Sequence, residues 1–332
     1  MWAYAVRRIA IGAVLLLALS LVTFVLFFAA PVDQAKFACG KICNNEQIAT
    51  TAKALGYDKP VYEQWGNFVK GIAVGRDFDM TGAGQTEHCA APCLGYSKLN
   101  AKTVNELIGE AAPISISLAV VAVVMWLVFG VLLGIASAVT KGSIIDRGIV
   151  GFTLVAYAFP SFFIGVFMLK FVAIKWGLVP YPAYWSIEEG GVGQWLGNLL
   201  LPAFTLALLF LASYVRMTRA FVLESLGEDY IRTAKAKGLP RRKVLFKHGL
   251  RAALTPLVTM TGLDFASLLG GAIITESVFA YPGLGLLTVQ ASNAWDLPTI
   301  IGVVVVAGAF VIVANIVVDI AYAFIDPRVR LA

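Results

Sequence analysis

Six long apolar runs constrain this chain more than any other feature. They lie near residues 9–30, 112–139, 148–174, 199–222, 252–280 and 299–325. A helix needs about 20 predominantly apolar residues to cross a bilayer, and each run is long enough. A backbone in hydrocarbon must satisfy its own hydrogen bonds, which leaves helices or a closed barrel. None of the runs shows the short alternation of a barrel strand. Only 14% of the residues are charged, against about 25% in soluble domains. The expected fold is an all-α polytopic membrane protein with six transmembrane helices. The first run is about twice the length of a usual signal-peptide core. Phe28-Ala29-Ala30 is a weak cleavage signal, so the run reads as an uncleaved anchor.

The net charge of +6 could suggest nucleic acid, but its distribution argues otherwise. With the N-terminus inside, the inner segments hold Arg7, Arg8, Lys141, Arg147, Arg216, Arg219, Arg328, Arg330 and a dense basic island. The outer loop near 175–198 has Lys175 with Glu188 and Glu189, and the loop near 281–298 has only Asp296. This is the positive-inside pattern with both termini in the cytoplasm. The expected layout is a first helix at 1–30, an extracytoplasmic insert at 31–110, a five-helix core at 111–326 and a cytoplasmic tail at 327–332.

The insert is too polar to span and too long for a plain connector. Asn44 to Leu55 reads as a helix, 56–60 as a turn, Val61 to Ala73 as an amphipathic helix, and 75–84 as loop or hairpin. Its four cysteines form two C-x3-C pairs. On a helix that spacing puts both sulfurs on one face. Two facing pairs would give nested bridges, Cys39–Cys93 and Cys43–Cys89. Four cysteines permit three connectivities, so this is a preference among them. Disulfides are the default outside the cytoplasm. The rival is a metal site, because His88 adjoins Cys89, but one adjacent histidine is weak support and no metal site is assigned.

Within the core, the second helix is expected to begin near Ala112-Pro113. Pro160 should kink the third helix. Lys170 can snorkel to an interface. Residues 177–198 and 281–298 read as external loops. Asp264 and Glu276 both lie in the fifth span, where a central carboxylate costs at least about 2.5 kcal/mol. They are candidates for a translocation path, with a hydrogen-bonded structural acid as the simpler reading of Asp264. At about 18 Å apart along a helix, they cannot form one paired-carboxylate catalytic site. Gly270-Gly271 between them would allow close helix packing. Asn315 and Asp319 add polarity to the last span.

The island at 229–256 carries Arg232, Lys235, Lys237, Arg241, Arg242, Lys243, Lys247 and Arg251 against the single acid Asp229. It reads as helix, break, helix. Gly238 can take the left-handed turn that ends a helix, with Leu239 packing back on it, and Pro240 suits the next helix start. Val244, Leu245 and Phe246 would form an apolar patch. Such a pair is either a basic loop that fixes topology or a docking surface for a cytoplasmic partner. The catalytic signatures sought are missing: no phosphate-binding G-x-x-x-x-G-K-[ST], no H-E-x-x-H and no G-x-S-x-G. The two histidines, His88 and His248, are assigned to opposite sides of the membrane.

DYIRTAKAKGL at 229–239, HGLRAALTPLVT at 248–259 and ESVFAYPGLG at 276–285 form an ordered series. With LGYDKPVYEQW at 55–65 and DPRVR near the end, the series resembles the B-type permease subunit of dipeptide/oligopeptide ABC importers. RTAKAKG at 232–238 looks like that branch's form of the E-A-A-x-x-x-G coupling motif. Arg232 and Thr233 stand where the general motif has Glu and Ala, whereas Ala234 and Gly238 match.

The resemblance implies a type I ABC importer permease of the bacterial inner membrane. Its partners would be a homologous second permease, two ABC ATPases and an extracytoplasmic solute-binding protein. ATP and magnesium would reside on the ATPases, leaving this chain with no cofactor and no catalytic residue. The coupling loop would span 228–251, with Arg232, Thr233, Ala234, Lys237, Gly238 and Leu239 as its contact residues. Related importers carry peptides, nickel or haem. Two features depart from the family pattern: the four-cysteine insert, and Asp264 where an uncharged residue is more common. Two other classes are a secondary transporter working through Asp264 and Glu276, and a membrane-anchored receptor whose disulfide domain does the work.

Overall fold

The computed structural model describes residues 2–28, 34–39, 43–79 and 86–325. Four of its helices are long and apolar enough to cross a membrane. These are α1 (Trp2–Phe28), α5 (Val104–Val139), α8 (Ile187–Gly227) and α13 (Leu297–Ile325). Two broken pairs pass the same test only when each pair is joined. The first is α6 (Ile144–Ala158) with α7 (Ser161–Phe167) and its π-helical extension Met168–Lys175, bent by 102°. The second is the end of α11 (Leu250–Phe279) with α12 (Leu284–Ala294), bent by 81°. Six crossings are reached only if each bent pair counts as one.

Pro160 does more than kink its helix. It lacks an N–H and forces the preceding residue out of the helical region. Phe159 is extended (ψ 138°) and Pro160 caps a new helix. The segment 281–298, expected to be loop, contains α12, closed by a left-handed Trp295 (φ 56°). The segment 177–198, also expected to be loop, is helical from Ile187. Ser186 and Glu189 form a reciprocal capping box there, and Gly191 (φ 69°) breaks the axis a few residues on. α5 starts at Val104, ahead of the expected Ala112. Thr103 and Glu106 bond each other's backbone N–H groups at 3.0 and 3.3 Å, a box that nucleates the helix early.

The chain divides into two compact units. One comprises residues 1–115 and 282–316, the other 116–281 and 317–332. In the first, the segment between α1 and α5 holds α2 (Gln34–Cys39), α3 (Asn45–Leu55) and α4 (Val61–Val74). Two antiparallel pairs follow, β1 (Arg76–Asp79) with β2 (Thr86–Cys89) and β3 (Tyr96–Ser97) with β4 (Lys102–Thr103). The N-cap of α3 is the Asn44–Gln47 box, and Gly56 (φ 74°) ends it in the left-handed conformation. Phe68, Leu94, Val104, Ile108, Leu284 and Ile301 pack into this unit's core. Trp65 Nε1 donates to Ser20 Oγ at 3.0 Å, fastening α4 to α1.

The nested disulfides are not formed. Each C-x3-C closes on itself, as Cys39–Cys43 (Cα–Cα 6.2 Å) and Cys89–Cys93 (5.5 Å). The reason is that the two pairs sit on different supports. Cys39 ends α2, whereas Cys89 and Cys93 are buried with Phe78 and Tyr96. His88 faces Asp77 across the hairpin at 2.5 Å rather than any sulfur.

In the second unit α8 is the central element, packed by α11, α6 and α7. Gly130 and Gly134 of α5 face Tyr214 and Thr218 of α8 so closely that a Cβ would stand 2.8 and 2.5 Å from the partner Cβ atoms. This is a small-xxx-small contact. The tail after Ile325 and the side chains of Arg251, Gly270, Gly271 and Asp319 lie outside the described residues.

Candidate functional site

The polar island folds as a small amphipathic device in the second unit. α8 ends at Gly227, and α9 (Asp229–Ala236) follows after an extended Glu228. Ile231 and Ala234 are spaced three apart, so both fall on one face. They are buried against Val244, with Leu226 and Leu239 at the edge. Gly238 takes φ 74°. Its N–H donates to Lys235 O at 3.0 Å, and that of Leu239 donates to Ala234 O at 3.3 Å. These two bonds, with Leu239 folded onto the buried face, make a Schellman turn. Pro240 then caps α10 (Arg241–Lys243), which runs into the π-helical Val244–Gly249 and α11. Ser225 Oγ donates to Gly249 O at 2.9 Å and bonds the Tyr230 hydroxyl, closing the loop at its base.

The six residues expected at the contact surface therefore divide. Arg232, Thr233, Lys237 and Gly238 are exposed, whereas Ala234 is buried and Leu239 half-buried. Arg232 lies 3.4 Å from Asp229, an exposed pair worth little. Thr233 Oγ1 donates to Asp229 O. The expected Val244-Leu245-Phe246 patch is also split. Val244 is core and Leu245 packs beneath α8, but Phe246 is 60% exposed. The outer surface is thus cationic, with Phe246 and the half-exposed Tyr230 as its aromatic points.

One buried pairing of the second unit is not legible in the sequence. Asp146, in the first turn of α6, is 4% exposed. It accepts from Arg219 Nε and Nη2, each at 2.9 Å. Ser137 Oγ and the Gly142 N–H donate to it as well. The end of α5, the following turn, α6 and α8 therefore meet on one carboxylate. The carboxylate and the arginine are both visible in the chain, but nothing local pairs residues 73 apart.

The two acids of α11 stand in different settings. Asp264 is half-buried and accepts from the Tyr214 hydroxyl at 2.8 Å. Tyr214 is itself fully buried beside Trp126, 3.3 Å from Thr261 Oγ1. Glu276 is fully buried near the C-terminal end of the helix. The unbroken helix keeps them apart, so they form no shared site.

Residues 130–331 match the family described as binding-protein-dependent transport system inner membrane component. Residues 1–119 match its N-terminal counterpart. The probable peptide ABC transporter permease protein y4tP of Sinorhizobium fredii is 32% identical over 330 residues, covering 99% of this chain and 100% of that protein. The dipeptide transport system permease protein DppB of Escherichia coli K12 is 32% identical over 351 residues, covering 98% of each. An inward-facing structure of the MetNI methionine ABC transporter superposes with a TM-score of 0.55 at 18% identity, over 67% of this chain and 97% of the other. That likeness concerns the fold alone. On these matches the chain belongs to the family of binding-protein-dependent transport system inner membrane components.

Proposed function

We propose that this chain is a peptide-carrying permease subunit of an ATP-driven importer. It forms the translocation path with a homologous second permease. Its island receives force from one of two cytoplasmic ATPases, and its insert meets an extracytoplasmic binding protein. Both termini and the island are cytoplasmic in this arrangement, as the distribution of Lys and Arg favours. ATP and magnesium belong to the ATPases. The relatives named for peptide and dipeptide transport favour peptides over nickel or haem as cargo.

The observation that carries the proposal is the island's construction. Its apolar face is consumed by the chain's own core, yet its outer face presents exposed cations and an exposed Phe246. A rigid turn with a buried root and a free outer face suits a part that is pushed. The test is Gly238→Val. A β-branched residue at φ 74° meets the left-handed penalty, about 1–2 kcal/mol, and nothing crowds its Cβ. The assembled transporter should insert normally and keep ATPase activity while losing most ATP-dependent uptake. Uptake at the wild-type rate would refute the coupling role. Uptake that persists without any ATPase and collapses in Asp264→Asn would favour a secondary transporter instead.

A further inference from the structure

Arg76 is the anomalous group of the first unit. It opens β1 and pairs with Cys89 across the hairpin. Its side chain runs back over α4, where Gly71 makes room. A Cβ on Gly71 would lie 2.9 Å from Arg76 Nε. That Nε is buried and has no hydrogen-bond partner. The guanidinium carbon sits 4.7 Å from the centre of the Phe78 ring. Among the described residues no carboxylate comes within ion-pair distance. Burial draws the group down to about 10, an effect Tyr57 partly opposes, so it is still a cation at neutral pH. The guanidinium is half-buried and rests on the Phe78 face, but a buried N–H left without an acceptor is costly, and such a donor calls for an anion or ordered water.

Arg76 lines a cavity of about 70 Å³, together with Tyr57 and Gln64 and the apolar Leu55, Phe68 and Phe78. At 10–15 Å³ for each water-sized position, that is room for roughly five small groups. The wall mixes apolar side chains with polar ones, Asn67 and Tyr96 among the latter, and Arg76 is its one cation. A phosphate dianion would leave one charge unmatched, whereas a monoanion matches Arg76 in charge and in bidentate geometry.

We infer that this cavity binds a small carboxylate with an apolar body, its carboxylate on the Arg76 fork and its body against Phe68 and Phe78. The site is independent of the cargo proposed above, and it is read by binding rather than uptake.

The probes are butyrate and the neutral butanol, titrated into the full chain in phosphatidylcholine nanodiscs by calorimetry or saturation-transfer NMR. Butyrate should bind and butanol should bind at least tenfold more weakly. Arg76→Gln should weaken butyrate by tenfold or more, because it removes the charge and the paired donors together. Arg76→Lys should fall between, keeping the charge without the fork. Gly71→Ala, which retains the charge but displaces it, should also weaken binding. An unchanged melting curve in the lysine variant certifies the fold. The proposal is overturned if butyrate and butanol bind alike, or if both Arg76 variants bind butyrate as the parent does. It is also overturned if only phosphatidylglycerol, added to the nanodisc, occupies the cavity.

Discussion

Arg219 holds Asp146 by two parallel hydrogen bonds, Nε to Oδ1 and Nη2 to Oδ2, both 2.9 Å long. Ser137 and the Gly142 N–H use the remaining acceptor capacity. A fork-on-fork pair fixes direction as well as distance. α8 runs on from Arg219 to Gly227, and the extended Glu228 leads from it into the island.

Removing one partner should therefore harm the chain more than removing both. Asp146→Asn leaves a half-buried guanidinium facing an amide, and Arg219→Gln leaves a buried carboxylate facing one; each should melt below the parent, the second further. The double variant should melt higher than additivity predicts, because no charge is stranded. Purified chains in detergent, followed by thermal unfolding, give all four values. Strict additivity would mean that the pair is not coupled.

The α5–α8 contact makes a second prediction. A Cβ at Gly134 would sit 2.5 Å from Thr218 Cβ and 2.8 Å from the Val215 carbonyl oxygen, a backbone atom that cannot swing away. Gly134→Ala should destabilise the fold by about 1–3 kcal/mol, the usual cost of overpacking. Gly148→Ala is the matched control, since Gly148 lies in α6 with nothing within 4 Å. It should be neutral or stabilising by up to about 1 kcal/mol. Equal effects at the two sites would rule out close packing at Gly134.

These cases show where sequence reading succeeds. The cap on α3 and the turn at Gly238 are legible because each is settled within a few residues, by Asn44 with Gln47 and by Gly238 with Leu239. The Thr103–Glu106 box was just as local, but an apolar window centred further on concealed it. α12 follows Pro282-Gly283 and is only eleven residues long, so its turn signals outweighed its pattern. The Asp146–Arg219 pair and the orphaned Arg76 are tertiary facts. They depend on which helices meet, and no spacing rule carries that. The cysteine spacing fits two helices facing each other, but four residues is also short enough for each pair to close alone.

Asp296 gives a pH dependence with a definite sign. Burial raises its carboxyl above the ordinary 3.8, partly offset by bonds from Ser97 and Thr299 and by Asn100. The folded chain therefore holds this proton more tightly than the unfolded chain. The protonated group contributes stability below the ordinary carboxylate value, and that contribution is lost as pH rises through the folded value. For one proton the slope cannot exceed about 1.4 kcal/mol per pH unit. Asp296→Asn is neutral at every pH, and its amide oxygen can accept from the hydroxyls of Ser97 and Thr299. Its melting temperature should vary less than the parent's across that acidic window and exceed it at neutral pH. A parent less stable in acid, with the slope removed by the substitution, would reverse the assignment.

The disulfide arrangement sets the size of the last effect. In the chain-entropy picture a bridge stabilises according to the loop it closes. Both bridges span a sequence separation of 4, so each contributes roughly 2 kcal/mol, whereas the first of two nested bridges around some fifty residues would contribute roughly 4 kcal/mol. Cys89→Ser with Cys93→Ser should thus cost about 2 kcal/mol beyond the loss of sulfur packing against Phe78 and Tyr96. Cys39→Ser with Cys43→Ser should cost no more than that, because both of its cysteines are only half-buried. Connectivity is read directly by digesting the unreduced chain and weighing the peptides. Cleavage between the two motifs should release fragments that separate without reductant; a fragment joining Cys39 to Cys93, or Cys43 to Cys89, would restore the nested arrangement.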